Sequence, residues 1–435
     1  MRNSTASIFL MALMLAVAMT GAAHAYKLRT LYSFCIQGGC ADGREPASGL
    51  LQDSSGNLYG TALFGGANGV GAIYELVPNA RKTKWKYKVL YSFCGCTDGS
   101  DPLSSLIIDN AGNLYGTTMA GGANDGGVVY RLVPNAKRTQ WTIETLYSFC
   151  SASDCSDGRL PQSDLAYAGK GSGAPYDGTS PLYGTTSQAG AHKQGVVFSI
   201  TPNGQSWSEL VLYDFCTLAN CADGADPTAG VLVDTQGNIF GTTYLGGQSD
   251  QGTVFELSAA RTETVLHSFC AQPNCLDGAF PAADLIMDAT GSLFGTAFGG
   301  GTKGRNCDDI GVSGCGTAFK LVPDGETSQL TVLHDFCARK NCSDGGYPLA
   351  SLMMDGAGNL YGATLYGGGH GAATGSGTVF NLNAAKPLYA FCKRDGCADG
   401  ALPEGNLTLD ASANIFGTAL QGGATGNGTV FELVP

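Results

Sequence analysis

The sequence predicts an all-β protein, a seven-bladed β-propeller with four-stranded blades, and three observations predict it. One motif recurs seven times, each copy holds four short β-prone runs between turn residues, and the two ends of the chain carry complementary parts of one copy. Composition agrees. Gly makes up 65 of 435 residues, about twice the usual ~7%, and without a three-residue period that excess marks tight turns rather than collagen. At 43% hydrophobic and 14% charged the chain falls outside the disordered class. Its 24 Lys+Arg against 36 Asp+Glu give a net charge of −12, which argues against partners bound by counterion release, such as bulk nucleic acid or an anionic membrane surface.

Residues 1–25 read as a secretory signal: Arg2, an apolar run from Ile8 to Met19, and Ala23-His24-Ala25 as a small-x-small cleavage site before Tyr26. No later stretch is apolar for the ~20 residues a bilayer crossing needs. Residues 26–435 are then expected to form a single propeller domain of seven repeats, secreted or periplasmic and monomeric, with no membrane span.

The repeats begin with a segment of the Leu-Tyr-Ser-Phe-Cys type, whose Phe falls at Phe34, Phe93, Phe149, Phe215, Phe269, Phe336 and Phe391. Asp-Gly-x-x-Pro follows each one, from Asp42, Asp98, Asp157, Asp223, Asp277, Asp344 and Asp399. In the first complete unit the β runs are A (Leu50 to Asp53), B (Leu58 to Leu63), C (Ala72 to Val77) and D (Tyr87 to Phe93). Asp53, Gly56 and Asn57 supply the A-to-B reversal. A four-stranded meander repeated in this way buries each sheet against its neighbours, which lets about 410 residues share one distributed core. The chain opens with a lone D strand, Leu28 to Phe34, and closes with a C strand, Gly428 to Pro435. Pairing the two completes the last blade and leaves neither as an exposed edge.

The run Gly-Asn-Leu-Tyr-Gly-Thr-Thr, then Gly-Gly, then Gly-Thr-Val-Phe-x-Leu resembles the GloVer (gloeo/verruco) tandem repeat of exported bacterial proteins, over nearly all of Leu31 to Pro435. The resemblance implies a propeller-like fold and no settled activity. The family often carries C-terminal surface anchors, and with none read after Val434-Pro435, surface attachment is not carried over from the resemblance. Repeat three departs from the pattern, carrying a longer insertion, Ala168 to Pro181, at its A-to-B turn.

Sixteen cysteines fall into eight close pairs: Cys35 with Cys40, Cys94 with Cys96, Cys150 with Cys155, Cys216 with Cys221, Cys270 with Cys275, Cys307 with Cys315, Cys337 with Cys342 and Cys392 with Cys397. In an exported chain these read as local disulfides that stiffen loops, and no zinc spacing competes with them. Cys94 and Cys96, one residue apart, are expected to be the pair most readily free or reduced.

Antiparallel meanders place the D-to-A and B-to-C connections on one face, where binding is expected. The Asp of each Asp-Gly occurs in all seven units and reads as a turn or cap. The residue before each A strand varies instead: Gly49, Ser105, Asp164, Gly230, Asp284, Ser351 and Asn406. If strand A lines the channel, Asp164 and Asp284 face one another across its mouth. Asp164, Asp284 and Asn406 are therefore candidate ligand-binding residues. A B-to-C insertion in repeat five, Gly301 to Gly316, adds Asp308 and Asp309 within the loop between Cys307 and Cys315. His267 and His334 occupy the Tyr position of the D-strand motif and read as packing. Arg81, Lys82, Lys84, Lys86 and Lys88 form a basic hairpin, echoed by Lys137 and Arg138, which reads either as a solvated hairpin or as a dock for an acidic glycan. No catalytic triad, phosphate loop, metal site or cofactor motif stands out. The sequence thus reads as a non-enzymatic binding or scaffold propeller for a glycan or an extracellular protein. The alternative is a polysaccharide-acting hydrolase or lyase using acids at the channel mouth.

Overall fold

The computed structural model describes residues 26–435 apart from 303–306, 308–313, 324–327, 371–374 and 385. Seven antiparallel sheets form a propeller ring. Blade one runs A to D as Leu51–Gln52, Leu58–Ala62, Ala72–Pro78 and Trp85–Ser92. Strand A is shorter than the sequence suggests because seven A strands converge on one axis, where pairing room is least. Blade three, at Leu182–Thr186, Val196–Asn203 and Ser206–Asp214, keeps only a bridge, Ala166 to Tyr183, in place of strand A. In blade seven the N-terminal strand Lys27–Ser33 pairs with Thr429–Val434, from Lys27 opposite Val434 to Ser33 opposite Thr429.

The core lies between blades. The D-strand Phe of each blade is fully or almost fully buried and packs at a steep angle against an aromatic ring on strand C of a sheet. Phe93 meets Tyr130 at 5.3 Å, Phe149 meets Phe198 at 4.9 Å and Phe391 meets Phe431 at 5.0 Å. The N-terminal strand's Phe34 meets Tyr74 at 5.2 Å, so the same contact runs through the blade that closes the ring. The strand-B glycine opposite each ring is required by that packing: a Cβ on Gly60 would come within 2.5 Å of the Tyr74 hydroxyl.

Hydrogen bonds fix the faces. Gly66 N–H, in a B-to-C loop, donates to Cys40 O in a D-to-A loop, while Ala259 N–H, in a C-to-D hairpin, donates to Asn238 Oδ1 in an A-to-B turn. The two faces are therefore as strand parity predicts. Among the described residues no helix is long and apolar enough to cross a membrane.

Candidate functional site

The D-to-A loops build the mouth, and their Asp residues hold them. Asp223 Oδ2 accepts from Tyr213 OH, Thr217 N–H and Thr217 Oγ1 at 2.8 Å each, and Oδ1 accepts from Leu218 N–H at 3.2 Å. Burial works against that charge, but the hydrogen bonds from Tyr213 and Thr217 outweigh it and hold the carboxyl below its ordinary value. His267 and His334 do the work of the tyrosine in their blades: each Nε2 meets the loop carboxylate, Asp277 at 3.0 Å and Asp344 at 3.4 Å.

Disulfides staple the same loops. Cys35 is joined to Cys40, Cys150 to Cys155, Cys216 to Cys221, Cys270 to Cys275, Cys337 to Cys342 and Cys392 to Cys397, each bridging five positions of a D-to-A loop. In all six the second cysteine, Cys40, Cys155, Cys221, Cys275, Cys342 or Cys397, ends a one-turn 3₁₀ segment, and its carbonyl accepts from the N–H of the Gly in Asp-Gly. The staple therefore holds the turn that presents the Asp. Cys307 is joined to Cys315 and Cys94 to Cys96, and no described cysteine is free. Cys94 and Cys96 are thus paired like the other seven, as the local pairing of the sequence expects.

Beyond each Asp-Gly the chain turns inward through a residue with φ between 54° and 60°: Glu45, Asp101, Leu160, Asp226, Phe280, Tyr347 and Leu402. Side-chain-bearing residues rarely hold this conformation. Here paired backbone bonds impose it. Asp226 N–H donates to Gln194 O of the preceding blade, while Asp226 O accepts from Tyr244 N–H of its own.

Four residues later comes the varied position, and its side chains interlock around the axis. Each accepts from the backbone N–H of the same position one blade earlier: Ser105 Oγ from Gly49 (3.1 Å), Asp164 Oδ1 from Ser105 (2.5 Å), Asp284 Oδ1 from Gly230 (2.6 Å), Ser351 Oγ from Asp284 (3.0 Å) and Asn406 Oδ1 from Ser351 (2.8 Å). The chain of bonds breaks at Gly49 and Gly230, which have no side chain to offer. Crowding keeps them glycine, since a Cβ at Gly49 would lie 2.8 Å from both Asn406 Cβ and Ser105 Oγ. Asn406 Nδ2 reaches across to Asp164 Oδ2 at 3.2 Å. The structure therefore brings Asp164, Asp284 and Asn406 together, with one correction: Asp164 faces Asn406 of blade seven, and Asp284 stands two blades along the ring from it. Among the described residues Asp284 Oδ2 takes no hydrogen bond.

This ring floors a cavity of about 330 Å³ whose rim carries Gln162, Thr228, Glu404, Asp226 and Tyr244. Burial, followed by the charge of Asp164, pushes the Asp284 carboxyl up to about 7 against the opposing pull of Lys170 and the Gly230 N–H. Burial alone pushes Glu404 up to about 7 as well and raises Asp226. Among the described residues no Lys, Arg or His lines this cavity. Half-buried aromatic rings stand on one side: Tyr244 of the rim lies 5.2 Å from Phe280.

The repeat-three insertion lies on the other side of the floor. Tyr176 N–H donates to Ile108 O at 2.9 Å and Tyr176 O accepts from Asn110 N–H, adding a parallel bridge to strand A of blade two (Ile107–Ile108). Its short turn Lys170–Ser172 touches strand A of blade four (Leu232–Val233), and Lys170 Nζ donates to Leu165 O at 2.8 Å. The insertion thus backs the channel floor and brings the cation that opposes Asp284.

Asp308 and Asp309 lie outside the described residues. The Cys307–Cys315 disulfide of their loop is buried, and Tyr347 OH donates to Cys307 O at 2.8 Å, which ties the loop's base to the residue before Pro348. Reading one varied position overlooked Glu404, Asp226 and Phe280. They flank the proline of each unit, and those two positions vary between repeats as freely as the one before strand A.

The Gloeobacter/Verrucomicrobia repeat matches the sequence over residues 17–180, 170–307 and 306–435. The chain belongs to that repeat family. No curated protein matches it. Among solved structures, the β-propeller domain of Cps50 (Swd1) from Myceliophteria thermophila is 11% identical, with 94% of this chain and 100% of that one covered at a TM-score of 0.51. A gluconolactonase from Xanthomonas campestris is 10% identical over 97% and 93% at 0.41, and a luciferin-regenerating enzyme 11% identical over 76% and 90% at 0.42. At 11% identity the likeness to the Cps50 propeller domain shows the fold alone.

Proposed function

We propose that this repeat protein is an exported binding propeller that takes the end of an uncharged or amino-bearing glycan at its channel mouth. The observation that carries the reading is the floor: carboxylate, amide and hydroxyl groups of five blades fixed at hydrogen-bonding distance of one another beneath an open cavity, beside half-buried aromatic faces. Sugars present alternating hydroxyl groups and C–H faces, which such a mixture of fixed polar groups and rings matches. A volume of about 330 Å³ is near the lower end of ligand pockets, ~300–1,000 Å³, and suits a chain terminus. The acidic lining disfavours polyanions here. Eight disulfides fit an oxidising compartment, which agrees with the leader read at residues 1–25.

One observation favours a second reading, a hydrolase or lyase: Asp284, at about 7 beside Asp164, is poised to exchange a proton near neutrality. A glycan array probed with the wild-type chain and with Asp164→Asn and Asp284→Asn tests the first. Binding to neutral or amino glycans that both substitutions weaken at least tenfold is expected. A wild type that binds none of them, or variants that bind as well, contradicts it. Release of reducing ends from the bound glycan by the wild type and not by Asp284→Asn would favour the second.

A further inference from the structure

On the face opposite the mouth, the C-to-D hairpins of blades one and two are near copies: Pro78-Asn79-Ala80-Arg81-Lys82-Thr83-Lys84-Trp85 and Pro134-Asn135-Ala136-Lys137-Arg138-Thr139-Gln140-Trp141. Each is stiffened in the same way. Asn79 Oδ1 accepts from Thr83 N–H at 2.8 Å, Asn135 Oδ1 accepts from Thr139 N–H at 2.9 Å, and Lys82 and Arg138 take left-handed φ of 50° and 51°. The other hairpins lack this pattern, blade three turning through Asn203-Gly204-Gln205-Ser206 and blade four through Ser258-Ala259-Ala260-Arg261.

Hydrogen bonds tie the basic side chains of three blades into one strip. Arg29, on the strand that closes blade seven, donates through Nη2 to Lys82 O at 2.7 Å, and Lys88 Nζ donates to Arg138 O at 3.0 Å. Between them Lys86 and Lys88 lie on one face of the outer strand of blade one, about 7 Å apart, with Lys84 just before it. Some charge is already answered, Lys82 by Asp410 at 3.4 Å and Arg29 by Glu432 at 3.0 Å. Arg81, Lys84, Lys86 and Lys137 are exposed and without an ion pair among the described residues, and Val77 to Ser92 holds five basic residues and no acid. In a chain of net charge −12 this is a local inversion of sign.

We propose that this strip docks an anionic polysaccharide, one whose uronate or sulfate groups recur along an extended chain. A rigid row of cations along a strand and two hairpin tips meets a repeating linear charge in many registers, which suits a polymer better than one small anion. The disulfides place such an encounter outside the reducing cytosol, where charged polysaccharide is the abundant linear polyanion. The strip stands apart from the acid-lined mouth, so the protein would hold a polyanion with one face while leaving the other open.

The test is retention of the full chain on immobilised polygalacturonate, dextran sulfate and neutral dextran over a series of salt concentrations. The wild type should bind one or both anionic polymers and not dextran, with the preference between them assigning uronate or sulfate. Arg81→Gln, Lys84→Gln, Lys86→Gln and Lys137→Gln combined should lose at least tenfold in affinity and show a shallower salt slope. A charge-matched control, Arg261→Gln, Lys340→Gln, Lys386→Gln and Arg394→Gln, should stay within about twofold of wild type. Equal loss in the control, binding to dextran, no binding by the wild type, or tighter binding to duplex DNA or phosphatidylserine vesicles at matched charge would each overturn the proposal.

Discussion

Two rings of residues, seven positions apart in every repeat, use the same scaffold to opposite ends. The outer ring is Asp in all seven blades, and each carboxylate is saturated by its own loop, as Asp223 is by Tyr213, Thr217 and Leu218. The inner ring is Gly, Ser, Asp, Gly, Asp, Ser and Asn, bonded from blade to blade around the axis and left incomplete at two glycines and at Asp284 Oδ2. Uniformity goes with a loop that every blade must close. Variation goes with a surface where seven blades meet and only one composite pattern is made, at some cost in stability.

Breaking both rings together should have the largest effect. Deleting residues 26–34 removes the strand paired with Thr429–Val434 and the Phe34–Tyr74 contact, so the edge of blade seven is uncovered. Aggregation, or loss of the cooperative melt seen by circular dichroism, is expected; a deletion that melts with the intact protein would undo the closure argument. Next in size, Asp223→Ala leaves the donors of Tyr213 and Thr217 facing an empty site, and about 3 kcal/mol of destabilisation is expected in urea titration. A loss below about 1 kcal/mol would mean that the outer ring is dispensable. Smaller and of opposite sign is the effect of Tyr74→Phe. Among the described residues the Tyr74 and Tyr130 hydroxyls are buried without a partner, where blades three to seven place Phe198, Phe255, Phe319, Phe380 and Phe431. Removing the Tyr74 hydroxyl should stabilise by about 1 kcal/mol, and a destabilised variant would point to a role for that hydroxyl.

The repeats made the architecture legible. Blade number, the split blade, the cysteine pairs and the loop faces all follow from where the Tyr-Ser-Phe-Cys and Asp-Gly motifs fall, because each motif does one local job. The inner ring's contents were legible as a varied position, but its bonding was not. A bond from Ser105 to Asp164, or from Asn406 to Asp164, joins residues 59 or 242 apart in sequence, and only closure of the circle makes them neighbours. The same reason hid the seating of the repeat-three insertion, which reads as a longer turn until Tyr176 is seen pairing with the strand of blade two. Asp226 and Glu404 escaped because only the curvature of the ring shows that residues beside a turn proline line a cavity.

Asp284 separates the two rings most directly. Its carboxyl is raised to about 7, so the folded chain keeps a proton that the unfolded chain releases above about pH 4, and the stability tied to that proton is lost as pH rises through 7. In Asp284→Asn the bond from Gly230 N–H is kept and the repulsion from Asp164 is removed. Asp223 is held below its ordinary value, so its contribution persists from pH 5 to 8. Thermal melts of wild type, Asp284→Asn and Asp223→Asn at pH 5 and pH 8 are the deciding measurement. Asp284→Asn should gain on wild type from pH 5 to pH 8, melting higher by the larger margin at pH 8, while Asp223→Asn melts lower at both. An Asp284→Asn protein that melts as far below wild type as Asp223→Asn does, at both pH values, would show that the inner ring is one more structural latch and contradict the account.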